Sequence, residues 1–373
     1  MAKAVYVGVN SKARKMKKAY IGIGGKARKV KKMYIGVGGK ARLCYSAELE
    51  RYGMAAALST TRYDMRAATV GKYALFAGGY ISKSSFGYSV SSSVDAYNTS
   101  LTKSTPTELS YKRCGHAAAS VGGYALFAGG ALSYNFLGYG KPVSSVDAYD
   151  ASLTRSAAHI IGATVAIGGA AVGNYALFAG GTVYSQINKD NVTSDVLAYD
   201  PSLTFTTAPL LSVARANVKG ASAVNYALFA GGRAGSFCTT VDAYNASLTR
   251  TTATALSSTK NNSAAATVGN HAIFVGNTAS ADIYDASLTK TSAAILSTAR
   301  TGLAATTVGD YAIFSGGGVA DFCDASLTRS SIGTSMTGYD MGAATIGDYA
   351  LFAGGHSGEK SDTAYDSVEV YTA

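Results

Sequence analysis

The sequence predicts an all-β chain whose strands close into a seven-membered ring, and three observations carry that reading. The stretch YALFAGG at 73–79 returns at 124–130, 175–181 and 226–232, and in altered form at 271–277, 311–317 and 349–355. The aromatic or His position that opens it (Tyr73, Tyr124, Tyr175, Tyr226, His271, Tyr311, Tyr349) is spaced by 51, 51, 51, 45, 40 and 38 residues. A second signature, VDAYN at 94–98, recurs as VDAYD (146–150), VLAYD (196–200), VDAYN (241–245), ADIYD (281–285), ADFCD (320–324) and VEVY (368–371). Self-similarity near 50 residues with four short strands per unit is the mark of a β-propeller.

Each element follows from local pattern. In the first copy Tyr73, Leu75 and Ala77 alternate with Ala74, Phe76 and Gly78, small or apolar on both sides, as a strand between two neighbouring sheets requires. The closing Gly78-Gly79 lets the backbone turn or approach a neighbour where a Cβ would collide. In the second unit 116–122 reads as strand a, 124–130 as b, 144–150 as c and 156–161 as d. The last c strand, 368–371, is followed by no d strand, whereas MAAALSTTR at 54–62 aligns with SAAILSTAR at 292–300. The N-terminal d strand 54–60 is therefore expected to pair with 368–371 and close the seventh blade, burying both sheet edges.

Composition agrees with short strands and tight turns: the 373 residues include 43 Gly, 4 Pro and no Trp. The net charge of +11 is concentrated at one end, since residues 1–45 hold 13 Lys and Arg and no acid, leaving 20 Lys and Arg against 22 Asp and Glu elsewhere. That segment has its own 14-residue repeat, AVYVGVNSKARKMKK, AYIGIGGKARKVKK and MYIGVGGKARLCY, marked by Tyr6, Tyr20 and Tyr34. Each repeat reads as a hairpin of one apolar and one basic strand. Two-stranded pieces are marginal alone, so 1–45 is expected to dock or oligomerise, with Tyr6, Tyr20, Tyr34, Ile21, Ile23, Ile35 and Val37 as its contact positions, the alternative being a solvated arm or a nonspecific polyanion binder. Residues 46–52 read as a linker and 53–373 as the propeller. No helix-turn-helix, zinc-finger or single-strand-binding motif is present, and no specific nucleic-acid partner is expected.

Cys44, Cys114, Cys238 and Cys323 form no CxxC pair and no metal spacing with the four His residues, so neither metal nor cofactor is expected. Cys323 stands where other units have Tyr and reads as a buried thiol. MAKAVYVGVN lacks the apolar run of a signal peptide, and no stretch is long enough to span a bilayer. His116, His159, His271 and His356 fall in different units, and no GxSxG, HExxH or phosphate loop occurs. Neither the Tyr, His and Cys ligand set of a copper oxidase nor the Asp-box of sialidase propellers stands out. On these grounds the chain is expected not to be an enzyme.

The glycine doublet closing strand b, and the Tyr followed by Asp or Asn about twenty residues later, resemble the kelch-repeat family over 53–373. The Trp that follows the Tyr-Asp element in that family is absent; Leu101, Leu153, Leu203, Leu248, Leu288 and Leu327 of the SLT turn are expected to fill its space. The doublet is reduced to Gly276-Asn277 in unit five. The variable b–c and d–a links open on one face. Their long b–c loops carry Tyr80, Phe86, Tyr88, Tyr134, Phe136, Tyr139 and Tyr184, the make-up of a recognition surface or a sugar-stacking platform unless the rings fold back onto their own loops. The d–a links carry LSxxR with Arg62, Arg113, Arg215, Lys260 and Arg300, replaced by Thr164 and Gly338 in two units. Such cations either form an anion-binding rim or, as in the kelch consensus, serve blade packing.

The basic hairpin repeat in front of a Trp-less propeller resembles tail-associated structural proteins of bacteriophages and prophages of Gram-positive bacteria. The resemblance implies a virion component, assembled in the bacterial cytoplasm and released by lysis. Residues 1–45 would hold other virion proteins, the propeller face would bind a host-surface polymer such as an anionic glycan, and the chain would form a homo-oligomer, a trimer by analogy with tail fibres. A decoration protein without receptor binding and a cytoplasmic protein–protein adaptor are the alternatives.

Overall fold

The computed structural model describes residues 6–373 apart from 10–11, 16–18, 24–25, 31, 38–39, 47, 85–86, 135–139, 159–161, 163, 166, 184–190, 261–263 and 359–362. Seven four-stranded sheets succeed one another around a central channel as the blades of a β-propeller. Blade 1 comprises Arg66–Val70 (strand a), Tyr73–Ala77 (b), Val94–Asn98 (c) and Lys103–Ser104 (d), paired antiparallel. Strand a lines the channel and strand d lies outermost, and the same order repeats to blade 7.

Blade 7 is closed from the N-terminal side, as the missing d strand requires, but the closing strand is Glu50–Ala55 rather than 54–60. Ala55 faces Val368, Gly53 faces Val370 and Glu50 faces Thr372, with a register shift at Tyr52. Two contacts fix this register: Arg51 pairs with Glu369, and the carbonyl of Ala56 accepts the Tyr97 hydroxyl of blade 1 at 2.7 Å, which commits the chain beyond Ala55 to the next link. Residues 50–52, read from sequence as linker, are thus part of the ring, and Ser46 ends the hairpin strand Lys40–Ser46.

The core is a set of apolar layers, one at each of the seven blade interfaces. Alternation in YALFA places Ala74 and Phe76 in the layer shared with blade 7 and Leu75 and Ala77 in the layer shared with blade 2. Phe76 meets Tyr97 edge-on at 5.8 Å, an arrangement aromatic quadrupoles favour, and Phe127–Tyr149, Phe229–Tyr244 and Phe352–Tyr371 repeat it. Cys323 takes the Tyr position in blade 6 and is fully buried; burial pushes its thiol up to about 12. Gly78 and Gly79 run at φ +65° and +102°, and a Cβ on either would stand 2.5 Å from the carbonyl oxygen of Arg113 or Tyr63. The SLT leucines all adopt φ between 58° and 64°, a costly region for a branched side chain. Their partial burial against the interface layers, Leu101 and Leu153 among them, supplies the apolar contact that a Trp-less turn needs.

Three polar latches recur between a blade and the one before. The c-strand Tyr hydroxyls donate to the chain leaving the previous d strand: Tyr149 to Thr107 O at 2.8 Å, Tyr244 to Pro209 O at 2.8 Å and Tyr284 to Thr254 O at 2.6 Å. The c-strand Asp accepts from the previous d–a link. Asp95 takes the backbone N–H and hydroxyl of Ser59 and the guanidinium of Arg62, and Asp242 takes Ser212 and, at 2.8 Å, Arg215. Arg62 also donates to the carbonyls of Phe76, Gly78 and Ser93, filling the gap where strands b and c part. Third, inner-strand hydroxyls donate to the carbonyl of the preceding blade: Ser120 to Thr69 and Ser222 to Ala171 at 2.6 Å, Thr267 to Ser222 at 2.5 Å.

The seam between blades 2 and 3 departs from this scheme twice. Leu197 stands in place of the Asp and Thr164 in place of the Arg, and their loss leaves a cavity of about 20 Å³ lined by Thr164, Phe178, Gly180 and Leu197. Ala171 has no hydroxyl to offer Ser120. That Asp and Arg disappear together is what a structural pair demands, because either alone would be a buried unpaired charge.

Blade 3 shows how a blade without the pair is built, and this predicts a non-additive cycle. Arg215→Thr should cost about 1–3 kcal/mol by removing the buried partner of Asp242 and leaving it only the half-exposed Arg250 and Ser212, whereas Arg215→Thr with Asp242→Leu should be more stable than that single variant, as read from urea unfolding midpoints. A double variant less stable than Arg215→Thr contradicts the pairing argument.

Candidate ligand site at the channel mouth

The b–c and d–a links meet at one end of the channel, where the inner strands begin. Their first residues are Arg66, Ala117, Gly168, Lys219, Ala264, Ala304 and Gly342. Five are Ala or Gly, so the mouth is walled by backbone, and the long cationic side chains of blades 1 and 4 are set into it from nearly opposite sides. The cavity there is about 250 Å³ and is bordered by Met65, Arg66, Gly168, Lys219, Leu303 and Met341. Below it lies a segment of about 330 Å³ lined by Ala, Gly, Ser and Thr. Gly220 keeps this wall low, since a Cβ there would stand 2.1 Å from the Gly169 carbonyl oxygen.

The residues just before the inner strands add carboxylates. Asp64 and Asp340 both sit at φ 51°, where Gly115 and Gly302 stand in blades 2 and 6; Asp is among the few side chains that tolerate this conformation. Asp64 N donates to Asp340 O at 2.7 Å and Asp340 N to Gly302 O at 2.8 Å, so these turns are chained across three blades. Nη1 of Arg66 donates to Asp64 Oδ1 at 2.7 Å. Burial opposes the Arg66 charge, but Asp64 and Asp340 outweigh it and hold its pKa above the usual value. Lys219 has no hydrogen-bond or ion-pair partner among the described residues; burial, and then the charge of Arg66, pull its pKa down, with Asp64 and Asp340 offsetting part of the shift. Burial would raise Asp340, yet the hydrogen bond and charge of His356, whose Nε2 lies 3.1 Å from Oδ2, bring it below the ordinary carboxylate range. An aromatic shoulder completes this side: Tyr63 stacks on Tyr80 at 5.1 Å, and His356 lies 4.7 Å from Tyr63 and 6.2 Å from Tyr339.

The loops above the mouth are uneven. Those of blades 1 and 2 join into one four-stranded sheet of Tyr80–Ser84, Gly87–Val90, Ala131–Tyr134 and Gly140–Pro142, with Tyr88 opposite Tyr134. In blade 6, by contrast, strands b and c (Tyr311–Gly316 and Val319–Asp324) are joined by Gly317 and Gly318 alone. The face is therefore high on one side and low on the other.

The sequence-derived site residues separate into groups. Arg62, Arg113, Arg215, Lys260 and Arg300 do not form an open rim: the first three are wholly buried, and they pair in order with Asp95, Asp147, Asp242, Asp282 and Asp321. Burial lowers the pKa of Arg62, Arg113 and Arg300. Tyr80 stands on the aromatic shoulder. Phe86, Phe136, Tyr139 and Tyr184 lie outside the described residues, as do the side chains of Tyr88 and Tyr134. In the hairpins Ile21, Tyr34 and Ile35 are more than half exposed, and the side chains of Tyr6, Tyr20, Ile23 and Val37 lie outside the described residues. Sequence reasoning passed over Arg66 and Lys219. Their signal was positional, because four residues after the LSxxR cation every other unit has Ala or Gly.

No protein-family model and no curated protein matches the chain. Among solved structures the chain is similar to YjhT, with a TM-score of 0.54 at 12% identity over 86% of this chain and 99% of that one. The likeness is one of fold. It corrects the expectation that the chain is not an enzyme: the propeller scaffold shared with YjhT hosts catalysis as readily as binding, so missing motifs do not remove catalysis from its repertoire.

His116, flagged by the sequence, lies outside the mouth and is fully buried beside Phe127. Burial, and then the nearby Arg113 charge, hold its imidazole well below the ordinary value and therefore neutral. A depressed pKa contributes stability above the unfolded value and loses it as pH falls. Between pH 6.5 and 4.5 the wild type should lose up to about 1.4 kcal/mol per pH unit more than His116→Leu; parallel denaturation curves for the two proteins across that window contradict this.

Proposed function

We propose that the chain is a recognition protein of a phage or phage-tail-like particle, with a kelch-like propeller whose uneven face engages a host-surface polymer and with basic hairpins that attach it to neighbouring particle proteins. The observation that carries this reading is the raised sheet shared by blades 1 and 2 beside a polar channel mouth. Loops that merely connect strands can be as short as Gly317-Gly318, so two adjacent insertions joined into one sheet favour a built surface over slack.

The hairpins support the second half of the reading. Tyr20–Ile23 pairs with Lys26–Lys29, and Lys32–Val37 with Lys40–Ser46, each as a separate two-stranded sheet. Exposed Ile21, Tyr34 and Ile35 beside a dense row of cations suit a partner surface that is apolar at its centre and acidic at its edge.

Replacing the b–c loops of blades 1 and 2 with the Gly-Gly turn of blade 6 tests the reading. On an array of Gram-positive surface polysaccharides the full-length chain should bind at least one polymer, and the trimmed chain, with its thermal midpoint retained, should lose at least tenfold in affinity. Unchanged binding by a folded trimmed chain, or no binding by the parent, overturns it.

A further inference from the structure

This inference rests on the reading of the propeller face as a polymer-binding surface and names the unit that the channel mouth takes. We infer that the mouth seats a single carboxylate-bearing sugar unit of the hexuronate type, its acid group held between Lys219 and Arg66. Lys219 is half-buried with no partner among the described residues, it borders the same cavity as Arg66, and after burial the largest influence on it is the like charge of Arg66. An anion between the two removes that repulsion and satisfies an ammonium that is costly to leave alone in a narrow cavity. Arg66 has donors to spare: Nη1 is engaged by Asp64 and by backbone carbonyls, while Nε and Nη2 meet no acceptor among the described residues. A planar carboxylate suits that remaining edge of the guanidinium.

The neighbouring groups select what the carboxylate is attached to. Asp64 and Asp340 bring two negative charges to the same mouth, so the site is close to neutral and disfavours a phosphate dianion. The carboxylate oxygens that have no donor among the described residues are acceptors for hydroxyl groups, and half-buried Tyr80 and Tyr339 offer ring faces beside them. A monoanion carrying several hydroxyls on a compact ring meets all of these demands. The mouth segment of about 250 Å³ has room for one such unit, while the rest of a polymer lies across the face.

Calorimetric titration of the full-length chain with glucuronate, galacturonate, glucose, galactose and inorganic phosphate tests this. At least one uronate should bind at least tenfold more tightly than its neutral counterpart and than phosphate, and Lys219→Met and Lys219→Gln should each lose that affinity at least tenfold while keeping the parent thermal midpoint. The inference is overturned if neither uronate binds, if phosphate binds as well as the uronate, or if both folded variants bind like the parent. Should the Lys219 variants keep polysaccharide binding that loop trimming abolishes, the mouth assignment fails while the reading of the face survives.

Discussion

The ring depends on a buried charge pair at the blade interfaces. A c-strand Asp accepts the backbone and side chain of a Ser and the guanidinium or ammonium of the LSxxR cation, all from the link that arrives from the previous blade. Apolar layers between blades supply the area, but one Ala-rich layer is much like another and would tolerate sliding. The pair cannot slide: a guanidinium lodged where strands b and c part, with carbonyls on three sides, fits one register only. Blade 7 reaches the same end by different residues, since Glu369 takes Arg51 of the closing strand and the hydroxyl of Ser335. This substitution ties the N-terminal segment to the last blade and closes the circle.

Much of this architecture was legible because repeats give many readings of one rule. Seven copies of the b and c signatures fixed the blade number, and the alternation in YALFA stated that both of its faces are buried. The missing last strand pointed to closure, although the alignment set the strand a few residues late, because the contact that decides register, Arg51 with Glu369, joins residues far apart in sequence. The LSxxR cations were ambiguous. A cation repeated at a link can face solvent or its neighbour, and only the Asp at the end of the pair decides. Their joint loss in blade 3 was already visible as VLAYD beside Thr164, and reading the two signatures together would have paired them.

The site was harder to see for the opposite reason. Repetition reveals structure, whereas a binding site on a symmetric scaffold is made by its exceptions. Arg66 and Lys219 each occur once, at positions that are otherwise Ala or Gly, and nothing local marks them. They gain meaning only when the ring brings blades 1 and 4 across one channel. The same holds for Asp64, Asp340 and His356, which three different links deliver to one shoulder.

If the charge pairs hold the ring, its blades should not be equally firm. Hydrogen–deuterium exchange of the intact chain measures this directly, because amide protection reports the free energy of local opening. The account predicts that strands flanking the blade 2–3 seam, Gly168–Val172 and Val196–Tyr199 among them, exchange first, while equivalent strands of blades 1, 4 and 5 stay protected. Uniform protection around the ring, or an opening that begins at a seam with its Asp and cation intact, would show that the apolar layers alone hold the propeller together.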